Sequence, residues 1–213
     1  LAQSTFINTG QLCVAKTRLL VHENIKEQII ASIKLEIKNV LTIGNPLNEQ
    51  TSFGPIASKK QFERVNSYLA LGKTEGASLH RLETSGDTPS EGYFMPPAVF
   101  DNVKNTMRIA QEEIFGPVLS VISFKTDDEA LQLANAVNYG LAATAWTQNL
   151  SRARRLARDL QAGNVDIRAT TMAAEEPSGL SGEPFGASGF GVVGGLHGLA
   201  PYTRLKAVQI VTD

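Results

Sequence analysis

The feature that most constrains the fold is the segment from Val118 to Phe124, in which five of seven residues are apolar. A strand with so little alternation is typically buried on both faces of a parallel sheet. Helical and extended patterns then alternate along the chain: a helix opened by Asp127 or Asp128, a strand over residues 141–147, a helix over 151–162 with Gly163 as its stop, and a strand over 165–167. This alternation is typical of right-handed crossovers. We therefore predict an α/β fold, a largely parallel sheet with flanking helices.

The first third of the chain contains two amphipathic segments. Isoleucines at helical spacing predict a helix over residues 25–37, with Asn24 as its N-cap. Ser58 is expected to cap a second helix, which ends near Gly72. The apolar run Leu19–Val21 predicts a strand before the first helix. Both helices are expected to flank the sheet.

Two stretches are predicted to be rich in loops. Residues 76–97 combine Gly, Pro and charged residues, and a glycine-rich loop is expected over residues 170–198. Val208–Val211 alternate as a C-terminal strand, whose unpaired edge needs a partner. We expect residues 1–198 to form the main domain, and residues 199–213 to be a segment for contacts between subunits.

Composition excludes several classes of function. The 213 residues are 42% hydrophobic and carry a net charge of −1, so the chain can bury a core but has no basic surface for nucleic acid or an anionic membrane. A single cysteine excludes an intrachain disulfide and a cysteine-based zinc cluster, and it fits a reducing compartment. No apolar run reaches the roughly 18 residues of a transmembrane helix. We expect a cytoplasmic protein that binds a small molecule or another protein.

Cys13 is the only cysteine, and it follows a polar, turn-prone run from Asn8 to Gln11. A lone cysteine is most often an inert, buried residue. Here the strand over Leu19–Val21 follows closely, so the thiol is expected between a turn and a strand. Backbone N–H groups at such a position can stabilise an oxyanion. Local sequence alone leaves both interpretations open, a packed core residue or a reactive thiol.

A series of short motifs in one order resolves this choice. Nearly the whole chain carries them: Phe6-x-Asn8-x-Gly10-Gln11-x-Cys13-x-Ala15 with Arg18, Gly44-Asn45-Pro46, Phe53-Gly54-Pro55, Glu75-Gly76-Ala77, Gly92-Tyr93-Phe94, Glu112-Glu113-Ile114-Phe115-Gly116-Pro117-Val118, Glu129-Ala130 with Ala134-Asn135, Tyr139-Gly140-Leu141, and Pro184-Phe185-Gly186 with Ser188-Gly189-Phe190-Gly191. In these motifs the chain resembles the C-terminal half of the NAD(P)-dependent aldehyde dehydrogenase superfamily. The resemblance implies that residues 1–198 are the catalytic domain of that fold.

The resemblance also implies a role for Cys13. In this family the matching cysteine attacks the aldehyde carbonyl as a thiolate, and the resulting thiohemiacetal becomes a thioester that water cleaves. Cysteine suits both steps because it is a strong nucleophile and then a good leaving group. Leu12 and Val14 are expected to line the substrate pocket. The aldehyde is the expected substrate.

Other positions correspond to the family's cofactor and substrate contacts. Glu113 matches the carboxylate that accepts hydrogen bonds from the nicotinamide ribose, and Phe115 is expected beside the nicotinamide of NAD or NADP. An ordinary surface acid is the alternative for Glu113, and core packing is the alternative for Phe115. Phe185 corresponds to an aromatic at the mouth of the aldehyde pocket, and its alternative is a loop anchor. No metal is expected, because His22, His80 and His197 lie at no ligand spacing.

The chain also departs from the family pattern. Asp166 and Arg168 stand where members often have tryptophan and asparagine, and only Ala187 separates Gly186 from Ser188. The family's general base and its N-terminal dinucleotide-binding domain correspond to sequence before Leu1, so the isolated chain is expected to be incomplete as an enzyme. Two hypotheses therefore stand. The chain is the catalytic domain of an aldehyde dehydrogenase that forms homo-oligomers through its C-terminal strand, or it is a non-catalytic fragment or paralogue that serves as an assembly module.

Overall fold

A computed structural model describes residues 2–169 and 182–212. The chain divides into two compact units, Leu1–Val137 and Asn138–Asp213. The helices are α1 (Ala2–Phe6), α2 (Lys26–Val40), α3 (Lys59–Thr74), α4 (Arg108–Gln111), α5 (Asp127–Asn135) and α6 (Leu150–Asp159). The strands are β1 (Arg18–His22), β2 (Ser78–Arg81), β3 (Ala98–Asp101), β4 (Val118–Phe124), β5 (Tyr139–Gly140), β6 (Ala142–Trp146), β7 (Asn164–Arg168) and β8 (Phe185–Gly186).

The first unit is built on a four-stranded sheet in the order β1-β4-β3-β2. Strand β4 pairs in parallel with both β1 and β3, while β2 is antiparallel to β3. Because β4 lies inside the sheet and its first five residues are buried, its apolar sequence covers both faces. This confirms the strand prediction and the largely parallel character of the sheet.

Two helices cover opposite faces of this sheet, as the period of two along a strand requires. Val118 and Ile122 of β4 pack in one core cluster with Val65 and Leu69 of α3. The alternate residue Val121 packs in the other cluster, with the buried isoleucines of α2. The sheet is thus the middle layer of a three-layer α/β unit.

The second unit contains two small sheets. Strands β6 and β7 pair in parallel, and α6 connects them along the chain. Strands β5 and β8 form a two-stranded antiparallel pair. The predicted alternation of strands and helices is therefore present, but β4 belongs to the sheet of the first unit, whereas β6 and β7 pair with each other. The assignment of residues 1–198 and 199–213 to two functions stays a prediction.

Several predicted helix boundaries are wrong. Asn24 does not cap α2, because the chain first makes a 3-10 turn over Glu23–Ile25, with the His22 side chain accepting a hydrogen bond from the Asn24 N–H. Helix α3 ends at Thr74, close to its predicted end near Gly72, and the ring of Phe100 packs where Gly72 lacks a side chain.

Helix α6 ends at Asp159, before the predicted stop at Gly163. Helix α5 begins at Asp127 as predicted, and Thr126 caps it.

The C-terminal segment adopts no strand in the single chain. Residues 203–212 lie outside helices and strands, and Val208–Val211 are exposed. A strand needs a hydrogen-bonding neighbour, so the predicted terminal strand depends on an edge from elsewhere. The predicted loop over residues 170–198 lies partly outside the described residues; its described part, residues 182–198, includes strand β8 and the start of the 3-10 helix His197–Tyr202.

Candidate active site

The loop before Cys13 has an unusual left-handed backbone. Asn8, Thr9 and Gly10 have φ of 49°, 58° and 69° in succession. Each non-glycine residue in this region costs on the order of 1–3 kcal/mol, so neighbouring contacts must hold it. The chain then turns, with the Ala15 N–H donating to the Leu12 carbonyl at 2.9 Å, and leaves Cys13 exposed before β1. The thiol of Cys13 is thus exposed in this chain rather than packed in its core, and its role as a nucleophile stays a prediction.

One neighbouring segment, residues 54–57, binds this loop. The Gln11 side-chain oxygen accepts a hydrogen bond from the Ala57 N–H at 2.8 Å, and its amide nitrogen donates to the Pro55 carbonyl at 3.3 Å. The Thr9 hydroxyl donates to the Gly54 carbonyl at 3.0 Å. These bonds fix the strained turn from one side.

On another side, the loop lies directly against the segment that carries Glu113 and Phe115. A Cβ atom built on Gly10 would lie 2.2 Å from the Gly116 carbonyl oxygen, so the two backbones touch. Gly10 is three residues before Cys13, and Gly116 directly follows Phe115. The fold therefore brings the predicted nucleophile loop and the predicted cofactor segment together.

The cofactor segment itself combines an exposed acid with a strained aromatic residue. Glu113 is exposed, and Phe115 is half-buried with φ of 59°. The Arg64 guanidinium donates to the Glu113 carbonyl at 2.7 Å. The Gln61 amide nitrogen donates to the carbonyls of Ile114 and Phe115 at 2.9 and 2.8 Å. Helix α3 thus binds three consecutive carbonyls of this segment.

Glu112, directly before Glu113, lies in a network of charged and polar side chains. The Glu112 carboxylate accepts hydrogen bonds from the Arg108 guanidinium, at 2.6 and 3.0 Å, and from the Tyr68 hydroxyl, at 2.6 Å. The Arg108 guanidinium and the Tyr68 hydroxyl lower the pKa of Glu112 to about 2. Burial raises the pKa of Tyr68. Glu112 is therefore an anchor for the segment, distinct from the exposed Glu113.

The remaining predicted positions divide between the two units. Leu12 and Val14 are half-buried on either side of Cys13. Phe185 belongs to the second unit, where it is 47% exposed and pairs with Gly140 in the β5–β8 ladder. The roles of Leu12, Val14 and Phe185 in a substrate pocket stay predictions. Asp166 and Arg168, which depart from the family pattern, form an ion pair with each other on β7.

The sequence carries weak signals for the contacts from α3. Gln61, Arg64 and Tyr68 recur at intervals of three and four residues, which places them on one helix face. Their partners are mostly backbone carbonyls, which any sequence would supply. Among the described residues, no group of three or more His, Cys, Asp or Glu side chains could hold a metal ion.

Comparison with known proteins agrees with the motifs and the fold. The model of the aldehyde dehydrogenase family matches residues 1–208. The chain belongs to the aldehyde dehydrogenase family. It is 40% identical over 215 residues to the betaine aldehyde dehydrogenase of Mesorhizobium japonicum, with 97% of this chain and 42% of the relative aligned.

Solved aldehyde dehydrogenase structures share its fold. An NAD+ complex of an aldehyde dehydrogenase from Bacillus cereus matches with a TM-score of 0.89 at 35% identity, covering 99% of this chain and 42% of that one. A mutant indole-3-acetaldehyde dehydrogenase of P. syringae with bound NAD+ matches with a TM-score of 0.86 at 39% identity, covering 96% of this chain and 41% of that one.

The chain spans 40–43% of the length of four curated relatives that it matches. Within residues 2–169 and 182–212, no helix combines the length and apolar character needed to cross a membrane.

Proposed function

We propose that the protein oxidises an aldehyde to a carboxylate, with Cys13 as nucleophile and NAD or NADP as hydride acceptor. The observation that carries this proposal is the contact between Gly10 and Gly116, which joins the exposed Cys13 loop to the segment of Glu113 and Phe115. Hydride transfer from a cysteine adduct requires the nucleophile loop and the cofactor segment to lie close together, as this contact between their backbones allows.

Cys13 performs the covalent chemistry in this proposal. Its sulfur forms a bond to the aldehyde carbon, and the carbonyl oxygen becomes an oxyanion. The Cys13 backbone N–H is a donor for that oxyanion. Loss of hydride from the carbon leaves a thioester, and attack by water then breaks the C–S bond, releasing the carboxylate and the thiol.

The residues present fit a nicotinamide ribose. Glu113 is exposed, so both carboxylate oxygens can accept hydrogen bonds from ribose hydroxyls. The half-buried ring of Phe115 offers an apolar surface beside them. The dinucleotide, when bound, supplies the acceptor for the hydride. Glu113 and Phe115 would orient it toward the Cys13 loop.

Relatives of known structure bind NAD+, which favours NAD over NADP in this proposal. We expect the general base and most of the dinucleotide site to come from the part of the relatives that these residues do not match. The aldehyde is set by pocket contacts that include those parts. A cytoplasmic location belongs to the same proposal, since a free, exposed thiol suits a reducing compartment.

The proposal is tested on the full-length gene product with a panel of aldehydes and both dinucleotides. Aldehyde-dependent reduction of the dinucleotide is expected, and Cys13→Ala should lower its rate by several orders of magnitude. The matched control is Ser32→Ala, a small polar residue on the exposed face of α2. Equal rates in wild type and Cys13→Ala would contradict the role of Cys13, whereas a wild-type protein that reduces neither dinucleotide with any aldehyde would favour the assembly-module hypothesis.

Self-association through the C-terminal segment is a second part of the proposal. Residues 203–212 lie outside helices and strands and are exposed, and apolar side chains are present there at Leu205, Val208, Ile210 and Val211. An apolar segment with unpaired backbone favours pairing with another sheet edge. We expect this edge to come from a second copy of the chain.

A further inference from the structure

Strand β2 forms one edge of the four-stranded sheet, because β3 is its only neighbour among the described residues. The Leu82 N–H donates to the Pro97 carbonyl at 2.8 Å, which continues the antiparallel ladder just beyond the strand. Hydrogen-bonded and non-hydrogen-bonded pairs alternate along such a ladder, so the backbone of His80 also faces β3. The N–H and C=O groups of Leu79 and Arg81 therefore point away from β3. They are a template for one further strand.

A groove of about 550 Å³ lies beside this edge. It is lined on the helix side by Lys34, Leu35 and Lys38 of α2, and on the strand side by His80, Arg81 and Glu83. Leu82 packs in the core cluster that contains the isoleucines of α2, so His80, two residues earlier, lies on the same face of the sheet. The imidazole of His80 and the two lysines therefore lie on the same side of the edge.

The groove is positively charged. Lys34, Lys38 and Arg81 are cations, and Glu83 is the one carboxylate in the lining, so the groove has an excess of two positive charges in a chain whose net charge is −1. The Glu83 carboxylate accepts a hydrogen bond from the Lys38 ammonium at 2.8 Å, and both side chains are largely exposed. Exposed ion pairs contribute little to stability, so an incoming carboxylate can replace Glu83 at little cost. Leu35, which is 64% exposed, adds an apolar contact.

This charge discriminates among the possible occupants of the edge. Residues 203–212 of a second copy carry Arg204 and Lys206 and no acidic residue, so the groove repels that segment. A neutral extended segment gains the backbone hydrogen bonds but no ion pairs. An extended segment with acidic side chains at alternate positions gains both, since alternate side chains of a strand lie on one face. The edge and the groove together therefore favour an acidic, extended peptide.

We propose that the β2 edge and this groove form a docking site for an acidic segment of a partner protein, which adds to the sheet as a further strand. The backbone of Leu79 and Arg81 forms the new ladder, and Lys34 and Lys38 pair with carboxylates of the segment. Strand addition at an exposed sheet edge is a recurring mode of peptide recognition, in which main-chain bonds give affinity and side-chain contacts give specificity. The site uses no residue of the proposed active site, so it does not depend on the proposed function.

Variants of the two kinds of contact test this proposal on the full-length gene product. Lys34→Glu reverses a charge in the groove. The matched control is Lys60→Glu, at an exposed lysine of α3, the helix that covers the opposite face of the sheet. Arg81→Pro and Arg81→Gln both remove the cation, but only proline also removes the outward N–H. Because that N–H does not bond β3, proline at this edge costs the sheet no hydrogen bond.

Binding is measured by fluorescence anisotropy with a short labelled peptide in which valine and glutamate alternate. A control peptide with lysine in place of glutamate should bind at least about tenfold more weakly, and Lys34→Glu should lose about tenfold in affinity for the glutamate peptide. Lys60→Glu should bind as wild type does, and Arg81→Pro should bind more weakly than Arg81→Gln. Equal binding of the two peptides, no binding of the glutamate peptide to wild type, or wild-type affinity in Lys34→Glu would overturn the proposal.

Hydrogen exchange distinguishes an added strand from an anion bound by the lysines alone. A saturating concentration of the glutamate peptide should slow exchange at the Leu79 and Arg81 amides, whereas inorganic pyrophosphate should leave both rates unchanged. If pyrophosphate displaces the peptide and the peptide does not slow exchange at these amides, the groove binds small anions and the strand-docking proposal is overturned. Neither measurement requires the protein to oxidise an aldehyde.

Discussion

Gly10 has no side chain, and the Gly116 carbonyl occupies the space where one would begin. The Gly10→Ala substitution places a Cβ atom 2.2 Å from that oxygen and forces alanine into a backbone with φ of 69°. Overpacking of this kind costs about 1–3 kcal/mol, in addition to roughly 1–2 kcal/mol of left-handed backbone strain. We therefore expect a large loss of stability in urea denaturation, together with slower alkylation of Cys13.

Gly76→Ala is the control for this prediction. Gly76 has φ of 94° but no atom within 4 Å of an added Cβ, so alanine there adds backbone strain alone. Gly10→Ala should therefore be the more destabilising substitution. Equal losses in the two variants would show that contact between the two loops is unimportant.

The Glu112 carboxyl group makes the stability of the fold depend on pH in the acidic range. Its folded-state pKa, about 2, lies below the ordinary value of 4.5, so its hydrogen bonds contribute stability above about pH 4.5 and lose that contribution as the pH falls toward 2. Glu112→Gln removes this group from the titration. The urea midpoint of Glu112→Gln should vary less between pH 4.5 and pH 2 than that of wild type. Glu36→Gln, on the exposed face of α2, controls for loss of a charge; an acid dependence in Glu112→Gln as steep as wild type would contradict the prediction.

For single residues, the sequence predicts which residues form the candidate site better than it predicts their backbone conformations. The Asn8–Gln11 run predicts a turn because its residue types tolerate positive φ, and the structure places that turn before an exposed Cys13. Phe115 gives no such signal, since aromatic residues rarely adopt positive φ. Its carbonyl accepts a hydrogen bond from the side chain of Gln61, more than fifty positions earlier in the chain. Long-range contacts to backbone atoms leave no motif in a single sequence.

Among the elements, α5 is attached to the sheet through Arg18 of β1. The guanidinium donates to the Leu133 and Ala134 carbonyls near the end of α5, at 2.8 and 3.3 Å, and to the Asn105 side chain at 2.7 Å. Burial lowers the pKa of Arg18. A positive charge near a helix C-terminus also interacts favourably with the helix dipole.

Arg18→Met should therefore destabilise the fold. Loss of hydrogen bonds from a charged donor costs roughly 1.5–3 kcal/mol, because the carbonyls of α5 lose their partner. Arg81→Met, on the exposed edge strand β2, is the matched control and should cost less than about 0.5 kcal/mol. Urea denaturation measures both. Similar midpoints for the two variants would contradict the proposed attachment.

Elements with a long periodic pattern are those that sequence predicts well. Helix α2 and strand β4 form where their isoleucine spacing and apolar run indicate. Strand β3 has only four residues, all buried, and is too short for its pattern to be distinguished from a loop. The N-terminus of α2 is mispredicted because Asn24 lies in a 3-10 turn, where the imidazole of His22 accepts its N–H.

For the whole molecule, the C-terminal segment predicts a homo-oligomer. Light scattering of the full-length gene product should give a mass above that of the monomer. Ile210→Lys should shift the population toward monomer, because Ile210 is apolar and 82% exposed in the single chain. Gln209→Lys adds the same charge beside it and should have a smaller effect. A monomeric wild-type protein would contradict this prediction.

If Cys13 carries the substrate as a thioester, mass spectrometry after rapid acid quenching will detect the acylated cysteine. The full-length gene product is mixed with NAD+ and a good aldehyde substrate, quenched during the first turnover and digested. We expect the Cys13 peptide to gain the mass of the acyl group, and Cys13→Ala to give neither this adduct nor reduced dinucleotide. Dinucleotide reduction at the wild-type rate in Cys13→Ala, or a wild-type turnover that never acylates Cys13, would contradict it.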